Sequence, residues 1–128
     1  MAGDARMTGI ELCASSELAE RGKAVLFDVL LWNESVRAFA LRFEGRAVAY
    51  VNRCAHVPTE MDWQPGEFLD DSREWIICSI HGAIYDPRTG ECLGGPCLRS
   101  RLIEVPVMER DGKVYWYPSD DVQPAFAD

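Results

Sequence analysis

Two short motifs bring together the side chains with the greatest capacity for metal chemistry. Cys54 and His56 follow one segment of strand-like composition, and Cys78 and His81 follow another. The two motifs, C-x-H and C-x-x-H, use both histidines of the chain. Thiolate and imidazole are good ligands for zinc and for iron. We therefore predict one metal centre built from two loops, each of which supplies one sulfur and one nitrogen.

A structural zinc ion is the first metal to consider, because two cysteines and two histidines make a good tetrahedral set. Zinc modules, however, usually place two cysteines in one motif and two histidines in another. Here each motif mixes the two residue types. The mixed arrangement better suits a 2Fe-2S cluster in which two thiolates hold one iron and two imidazoles hold the other.

The residues after the second motif strengthen the iron–sulfur interpretation. The stretch HGAIYDPRTGECLGGP, residues 81–96, strongly resembles the segment after the second ligand loop of the Rieske iron–sulfur family, including its glycine–proline cover loop. The resemblance extends over about residues 23–117. It implies an all-β fold, a Rieske-like antiparallel β-sandwich or barrel with a small cluster-binding subdomain at about residues 53–98.

The resemblance also implies a role for each residue that matches the family pattern. Cys54 and Cys78 would bind the buried iron, and His56 and His81 would bind the outer iron with their rings toward solvent. Gly82 would let the chain turn closely around the metal, where a side chain would collide. The remaining residues implied to bind the cofactor are Tyr85, Gly94, Gly95 and Pro96.

Departures from the family pattern predict a low reduction potential. High-potential Rieske proteins carry a disulfide between the two ligand loops and a serine hydroxyl near a bridging sulfide. The corresponding positions here are Thr59 and Ile80, which cannot form that disulfide, and Ala83. Tyr85 falls where those proteins keep a tyrosine that donates to a ligand sulfur. Because such hydrogen bonds raise the potential, we expect a value in the lower half of the range of roughly −150 to +300 mV.

The elements that position these motifs are predicted to be antiparallel strands, since short segments rich in β-branched and aromatic residues alternate with turn residues. Phe39, Leu41 and Phe43 alternate with smaller or polar residues, so one face of their strand should point inward. The pairs Glu44-Gly45 and Asp111-Gly112 predict tight hairpins, and residues 15–21 predict one or two helical turns. The predicted strands are residues 23–31, 36–43, 47–52, 74–78, 83–85, 91–93, 102–109 and 113–117.

Length and composition favour a single domain, residues 1–128, with a core at about 10–118 and loose ends. The formal charge of −8 disfavours a nucleic-acid partner and suits steered docking onto a basic protein. No apolar run is long enough to cross a membrane. The N-terminus lacks the apolar core of a secretory signal, and the five cysteines are then expected in a reducing, cytoplasmic setting.

Two further features allow more than one interpretation. Residues 57–77 form a longer interloop segment than is common in Rieske ferredoxins. We predict a surface loop that packs Trp63 and Phe68 on the barrel, with a partner-docking lip as the alternative.

Cys92 and Cys97 flank the cover loop and are predicted to be small buried hydrophobes, with a disulfide or reactive pair as the alternative. Cys13 has no ligand partner nearby in sequence and is predicted to be structural.

The function predicted from these features is electron transfer. A cysteine–histidine nucleophile would need a base, yet both histidines are committed to the metal. The same shortage excludes the two-histidine, one-carboxylate iron site of Rieske oxygenases. We therefore expect no catalysis by this chain alone but a ferredoxin that accepts electrons from a reductase and supplies an oxygenase. A small Rieske subunit of a larger reductase and a cluster-based redox sensor stay open.

Overall fold

The structure is a computed structural model that describes residues 9–55, 59–80, 82–96 and 100–125. The described residues form ten strands and one short 3₁₀ helix at Ser15–Glu17, so the all-β prediction is confirmed. Within them no helix has the length and apolar composition needed to cross a bilayer. The strands are β1 (Ile10–Ala14), β2 (Val25–Leu31), β3 (Glu34–Phe43), β4 (Arg46–Val51), β5 (Ile76–Ile77), β6 (Ile84–Tyr85), β7 (Cys92–Gly94), β8 (Val107–Arg110), β9 (Lys113–Trp116) and β10 (Val122–Pro124).

These strands form three antiparallel sheets. One sheet has the order β10-β2-β3-β4, a second has the order β1-β9-β8, and the third has the order β5-β6-β7. We call the first two sheets the barrel region. The third sheet and the loops around it, which are the described residues between 53 and 101, are called the small-sheet region.

Strand β3 separates two hydrophobic cores. Phe39, Leu41 and Phe43 are buried in the core that also holds the small-sheet region. Ala38 and Ala40, on the opposite face of the strand, are buried in the core between the two sheets of the barrel region. The prediction that the aromatic face points inward is thus confirmed, and the alanine face is buried as well. Small side chains on that face let the second sheet approach closely.

Three hairpins of the barrel region close through two-residue turns. Glu44-Gly45 and Asp111-Gly112 have positive φ at both residues, as a type I′ turn requires, so both predicted hairpins are confirmed. Trp32-Asn33 makes a third such turn between β2 and β3, with φ of 51° and 70°. Tryptophan is an unusual residue at this position, because side chains with a Cβ disfavour positive φ. The tryptophan therefore does not predict a tight turn here, and this hairpin is not among those predicted from the sequence.

The C-terminal end of the described chain is more ordered than the sequence predicts, whereas β1 lies within the predicted core of about residues 10–118. Strand β1 pairs with β9, and β10 pairs with β2 beyond Pro118. The expectation of a loose segment after Pro118 is wrong for residues 119–125. Val122 is fully buried, which explains why a three-residue strand holds there.

The segment that returns from the small-sheet region to the barrel region runs beside β4. The N–H of Val51 donates to Ile103 O at 2.9 Å, and the N–H of Val105 donates to Ala49 O at 2.9 Å. The predicted strand at residues 102–109 is therefore divided, and only Val107–Arg110 joins the second sheet. Pro106 lies at the division, where it has no N–H for a sheet hydrogen bond.

Candidate metal centre

The loop that contains Cys54 and the C-x-H motif, called the first ligand loop, begins where β4 ends. The Cys54 side chain is buried, and the Cys54 N–H donates to Thr59 O at 2.9 Å, which closes the loop. Asn52 fixes the next part of the chain, because its Oδ1 accepts from Met61 N at 2.8 Å and its Nδ2 donates to Asp62 Oδ1 at 3.0 Å. A buried asparagine thus ties the end of the strand to the interloop segment. Sequence reasoning missed this positioning role, for which the only signal is a polar residue at the end of an apolar strand.

The loop that contains Cys78 and the C-x-x-H motif, called the second ligand loop, follows β5 and is closed by two backbone hydrogen bonds. Cys78 N donates to Ala83 O at 2.9 Å, and Gly82 N donates to Cys78 O at 2.8 Å. The Cys78 side chain is fully buried. Ser79 N donates to Met61 O at 3.0 Å and so joins the second loop to the interloop segment.

The backbone conformation of Gly82 gives one reason for a glycine in this loop. A Cβ at this position would meet no protein atom within 4 Å, and the expected collision with the metal site stays a prediction. Its φ of +75° is the constraint, because residues with a Cβ rarely adopt that conformation.

Tyr85 places its hydroxyl against the first ligand loop, as the sequence predicts. Its Oη accepts a hydrogen bond from Ala55 N at 2.9 Å and lies 3.4 Å from Cys54 Sγ. Burial and then the contact with Cys54 raise the pKa of Tyr85, so the hydroxyl keeps its proton. Because its oxygen accepts from Ala55, this proton is available for the sulfur of Cys54.

The glycine–proline loop packs on the second ligand loop. A Cβ at Gly95 would lie 3.0 Å from both Ala83 Cα and Gly82 O, and the φ of Gly95 is +87°. Gly95 therefore allows the two loops to touch. Gly94 pairs with Ile84 across β6 and β7, and a Cβ there would meet nothing within 4 Å. Pro96 is exposed at the end of the described part of this loop.

The residues present fit a sulfur-ligated iron. Cys54 and Cys78 arrive from separate loops, share one hydrophobic core, and neither is in a disulfide. Buried thiols with a hydroxyl donor nearby are the kind of surroundings that an iron–sulfur cluster uses. His56 and His81 lie outside the described residues, so their roles as ligands stay predictions from the sequence.

Comparisons with known proteins place the chain in a family. The model of the Rieske [2Fe-2S] domain matches residues 8–118. The chain belongs to the Rieske family. The cofactor implied for it is accordingly a 2Fe-2S cluster. No curated protein sequence matches the chain.

Solved structures with the Rieske fold resemble the chain along most of its length. The ferredoxin of carbazole 1,9a-dioxygenase from Nocardioides aromaticivorans IC177 has 20% identity and a TM-score of 0.68, over 88% of this chain and 99% of that one. The Sphingomonas yanoikuyae B1 ferredoxin has 21% identity and a TM-score of 0.65, over 88% and 100%. A chain in the reduced complex between oxygenase and ferredoxin of carbazole 1,9a-dioxygenase has 22% identity and a TM-score of 0.64, over 84% and 27%.

This Rieske chain lacks two features that the sequence comparison associated with high potential. Ile80 is 63% exposed, and with Thr59 it occupies the positions where a loop-to-loop disulfide would require cysteines. Ala83 is fully buried and offers no hydroxyl. Tyr85 is then the hydroxyl donor that sequence reasoning identified near Cys54.

Cys92 differs from its prediction. It is half-buried and disulfide-bonded, so the expectation of two small buried hydrophobes is wrong for this residue. Cys13, Cys54 and Cys78 are not in disulfides, and Cys97 lies outside the described residues. Cys13 is a buried thiol in the core of the barrel region, and burial raises its pKa, in keeping with a structural role.

The interloop segment packs only one of its two predicted aromatics. Phe68 is 1% exposed and stacks on Phe39 with ring centroids 3.7 Å apart. Trp63 is 49% exposed, and its indole donates to Leu69 O at 3.3 Å. The prediction of a packed surface loop is thus confirmed for Phe68 and wrong for Trp63.

Proposed function

We propose that this Rieske chain is a one-electron carrier, a ferredoxin that accepts electrons from a reductase and delivers them to an oxygenase. Its 2Fe-2S cluster would be held by Cys54, His56, Cys78 and His81 and would supply the redox change. The observation that carries the proposal is the pair of buried thiols from two loops, with the Tyr85 hydroxyl 3.4 Å from Cys54 Sγ.

The residues around the cluster would hold and tune it rather than react. Tyr85 would donate to the sulfur of Cys54. Gly82 and Gly95, both at positive φ, would let the second ligand loop and the glycine–proline loop approach each other. Gly94 and Pro96 would complete that loop over the cluster.

A partner surface next to the first ligand loop supports the carrier role. An open depression of about 520 Å³ beside Cys54 is lined by Trp32, Arg53, Ala55 and Arg101, among others. Trp32 is 61% exposed there. Exposed apolar groups next to a redox centre suit the small interface of a transient encounter.

The identity of the partners is inferred from the similar structures. Two of them are ferredoxins, one of carbazole 1,9a-dioxygenase, and a third is a complex between an oxygenase and a ferredoxin. The net charge of −8 would steer the chain as a whole toward a basic partner, whereas Arg53 and Arg101 at the depression would favour acidic or polar groups at the contact itself. We also propose that the chain acts in the cytoplasm, where reductases and oxygenases of this kind would meet it; cell fractionation tests that location.

Anaerobic single-turnover mixing tests the electron transfer. The dithionite-reduced protein, freed of excess reductant, is mixed with an oxidised oxygenase of the carbazole 1,9a-dioxygenase type. We expect one electron to leave each cluster, at a rate that falls as ionic strength rises, because opposite charges steer the encounter. The proposal would be contradicted if the cluster-loaded protein neither accepted electrons from a flavin reductase nor delivered them to an oxygenase.

A matched pair of variants tests the surface used. Trp32→Ser removes an exposed apolar group beside Cys54. Met108→Ser removes one that is 54% exposed near Gly45 and Arg46, at the opposite end of β4. We expect the first to lower the second-order rate about tenfold and the second to leave it unchanged, since hot-spot tryptophans contribute on the order of 1–2 kcal/mol or more.

A further inference from the structure

Thr59 carries a buried hydroxyl that has no hydrogen-bond partner within the described part of the chain. Among the described residues, its Oγ1 is the only buried side-chain nitrogen or oxygen without a hydrogen-bond partner. Buried hydroxyls are nearly always hydrogen-bonded, because a polar group that leaves water without a replacement partner destabilises the fold. The hydroxyl therefore requires a partner that the described residues do not supply.

The position of Thr59 indicates what that partner is. The Thr59 carbonyl accepts from Cys54 N at 2.9 Å, so the residue closes the loop that presents the first buried thiol. A 2Fe-2S cluster adds only acceptors to this loop, namely its sulfides and its thiolate ligands. A threonine hydroxyl can donate one hydrogen bond to such an acceptor.

We propose that the Thr59 hydroxyl donates a hydrogen bond to a sulfur of the cluster and thereby raises its reduction potential. The proposal rests on the cluster site proposed above. Sequence reasoning took Thr59 only as the absence of a disulfide cysteine. In this proposal the Thr59 hydroxyl, in the first ligand loop, takes the place of the serine hydroxyl that is missing at Ala83 in the second ligand loop. Because reduction adds negative charge to the sulfurs, the hydrogen bond is stronger in the reduced state.

A buried water molecule is the rival partner for this hydroxyl. A water bound there would satisfy Thr59 through its own hydrogen bonds to other polar groups. It would leave the sulfurs without the donor, so removing the hydroxyl would not change the potential. The potential therefore distinguishes the two partners.

The test compares the midpoint potentials of Thr59→Val, Thr59→Ser and wild type, measured by redox titration of the EPR signal. In Thr59→Val we expect the ratio of reduced to oxidised protein at a fixed solution potential to fall by about three- to tenfold, which is about 30 to 60 mV for a one-electron couple. Thr59→Ser keeps the hydroxyl and should recover most of the shift. Thr89→Val is the matched control, because the Thr89 side chain is exposed and contacts Glu91.

The outcomes separate this proposal from the proposed function. Unchanged potentials in Thr59→Val and Thr59→Ala, with a Rieske signal present, would overturn the role of Thr59 and leave electron transfer intact. A wild-type protein without a Rieske signal would overturn both. If Thr59→Val does not take up the cluster, Thr59→Ala and Thr59→Ser decide instead, because neither side chain is larger than threonine; a lower potential in the alanine variant alone would support the proposal.

Discussion

The barrel region and the small-sheet region are stabilised in different ways. In the barrel region, strands of up to ten residues close through two-residue turns and enclose a core in which Val29, Leu31 and Val122 are fully buried. In the small-sheet region the strands have two or three residues. Its loops are held mainly by single backbone hydrogen bonds such as Cys78 N to Ala83 O.

This difference indicates which region depends on the cofactor. Strands of two or three residues in a small sheet are not stable on their own in water. Metal binding that fixes two loops contributes its free energy to the folding of those loops. We therefore expect the barrel region to fold without the cluster and the small-sheet region to need it.

Removing one buried thiol should have the largest effect. In Cys78→Ser we expect complete loss of bound iron and sulfide, with retention of the β-sheet circular dichroism from the barrel region. Iron and sulfide analysis and far-ultraviolet circular dichroism measure the two outcomes. Cys13→Ser, which changes a buried thiol of the barrel core, is the control and should keep the cluster. Collapse of both regions in Cys78→Ser would show that the two are not independent.

The aromatic stack between the regions should have the next largest effect. Phe68→Ala removes a buried ring that stacks on Phe39 and should destabilise the protein by about 3–5 kcal/mol. The exposed Trp63 of the same segment gives the control, since Trp63→Ala should cost well under half as much. Denaturant unfolding of both loaded proteins measures the difference. Equal losses would mean that Phe68 does not anchor the interloop segment.

Loss of the hydrogen bonds that Asn52 makes to Met61 and Asp62, called the asparagine link, should destabilise the protein less, and only in the ligand loops. Asn52→Ala leaves the N–H of Met61 without its acceptor and should cost about 1–3 kcal/mol. We expect cluster release to a chelator to become faster, because Asn52 joins β4 to the segment between the ligand loops. Asp62→Ala breaks the second hydrogen bond of Asn52 and the one from Gly66 N but keeps the contact of Asn52 with Met61 N, so it should release the cluster more slowly than Asn52→Ala. The reverse order would assign the link to Asp62.

The same contrast explains what the sequence could predict. Hairpins such as Glu44-Gly45 have turn residues and alternating flanks that specify them locally, and the structure confirms them. The Trp32-Asn33 turn and β10 depend on partners distant in sequence: the Trp32 indole donates to Asp121 Oδ1 at 2.9 Å, and β10 pairs with β2. Local sequence patterns do not specify contacts between residues that are distant in sequence.

At the candidate site, residue types that metal chemistry demands were predictable and residues that support them were not. Cys54 and Tyr85 belong to recognisable motifs, and their contact is confirmed. Asn52 acts through backbone groups of a loop whose course no motif specifies. The hydroxyl of Thr59 is notable only because it is buried without a partner, which the sequence does not reveal.

The Tyr85 hydroxyl should have the smallest effect, chiefly on the potential, because the Ala55 N–H that loses its acceptor is only part-buried and can turn to water. Tyr85→Phe removes the donor to Cys54 Sγ and should lower the midpoint by about 1 kcal/mol, or roughly 40 mV for one electron. Tyr50→Phe is the control, because Tyr50 is equally buried but donates to Pro87 O at 2.8 Å. Redox titration measures both. Equal potentials for Tyr85→Phe and wild type would show that the hydroxyl does not serve the sulfur.

EPR spectroscopy of the dithionite-reduced protein tests the central claim most directly. We predict the signal of a 2Fe-2S cluster with mixed sulfur and nitrogen ligation, accompanied by nitrogen couplings from two imidazoles in pulsed measurements. That result would assign His56 and His81 as ligands together with the two buried thiols. A colourless protein without signal, or a cluster coordinated by cysteine alone, would contradict the account.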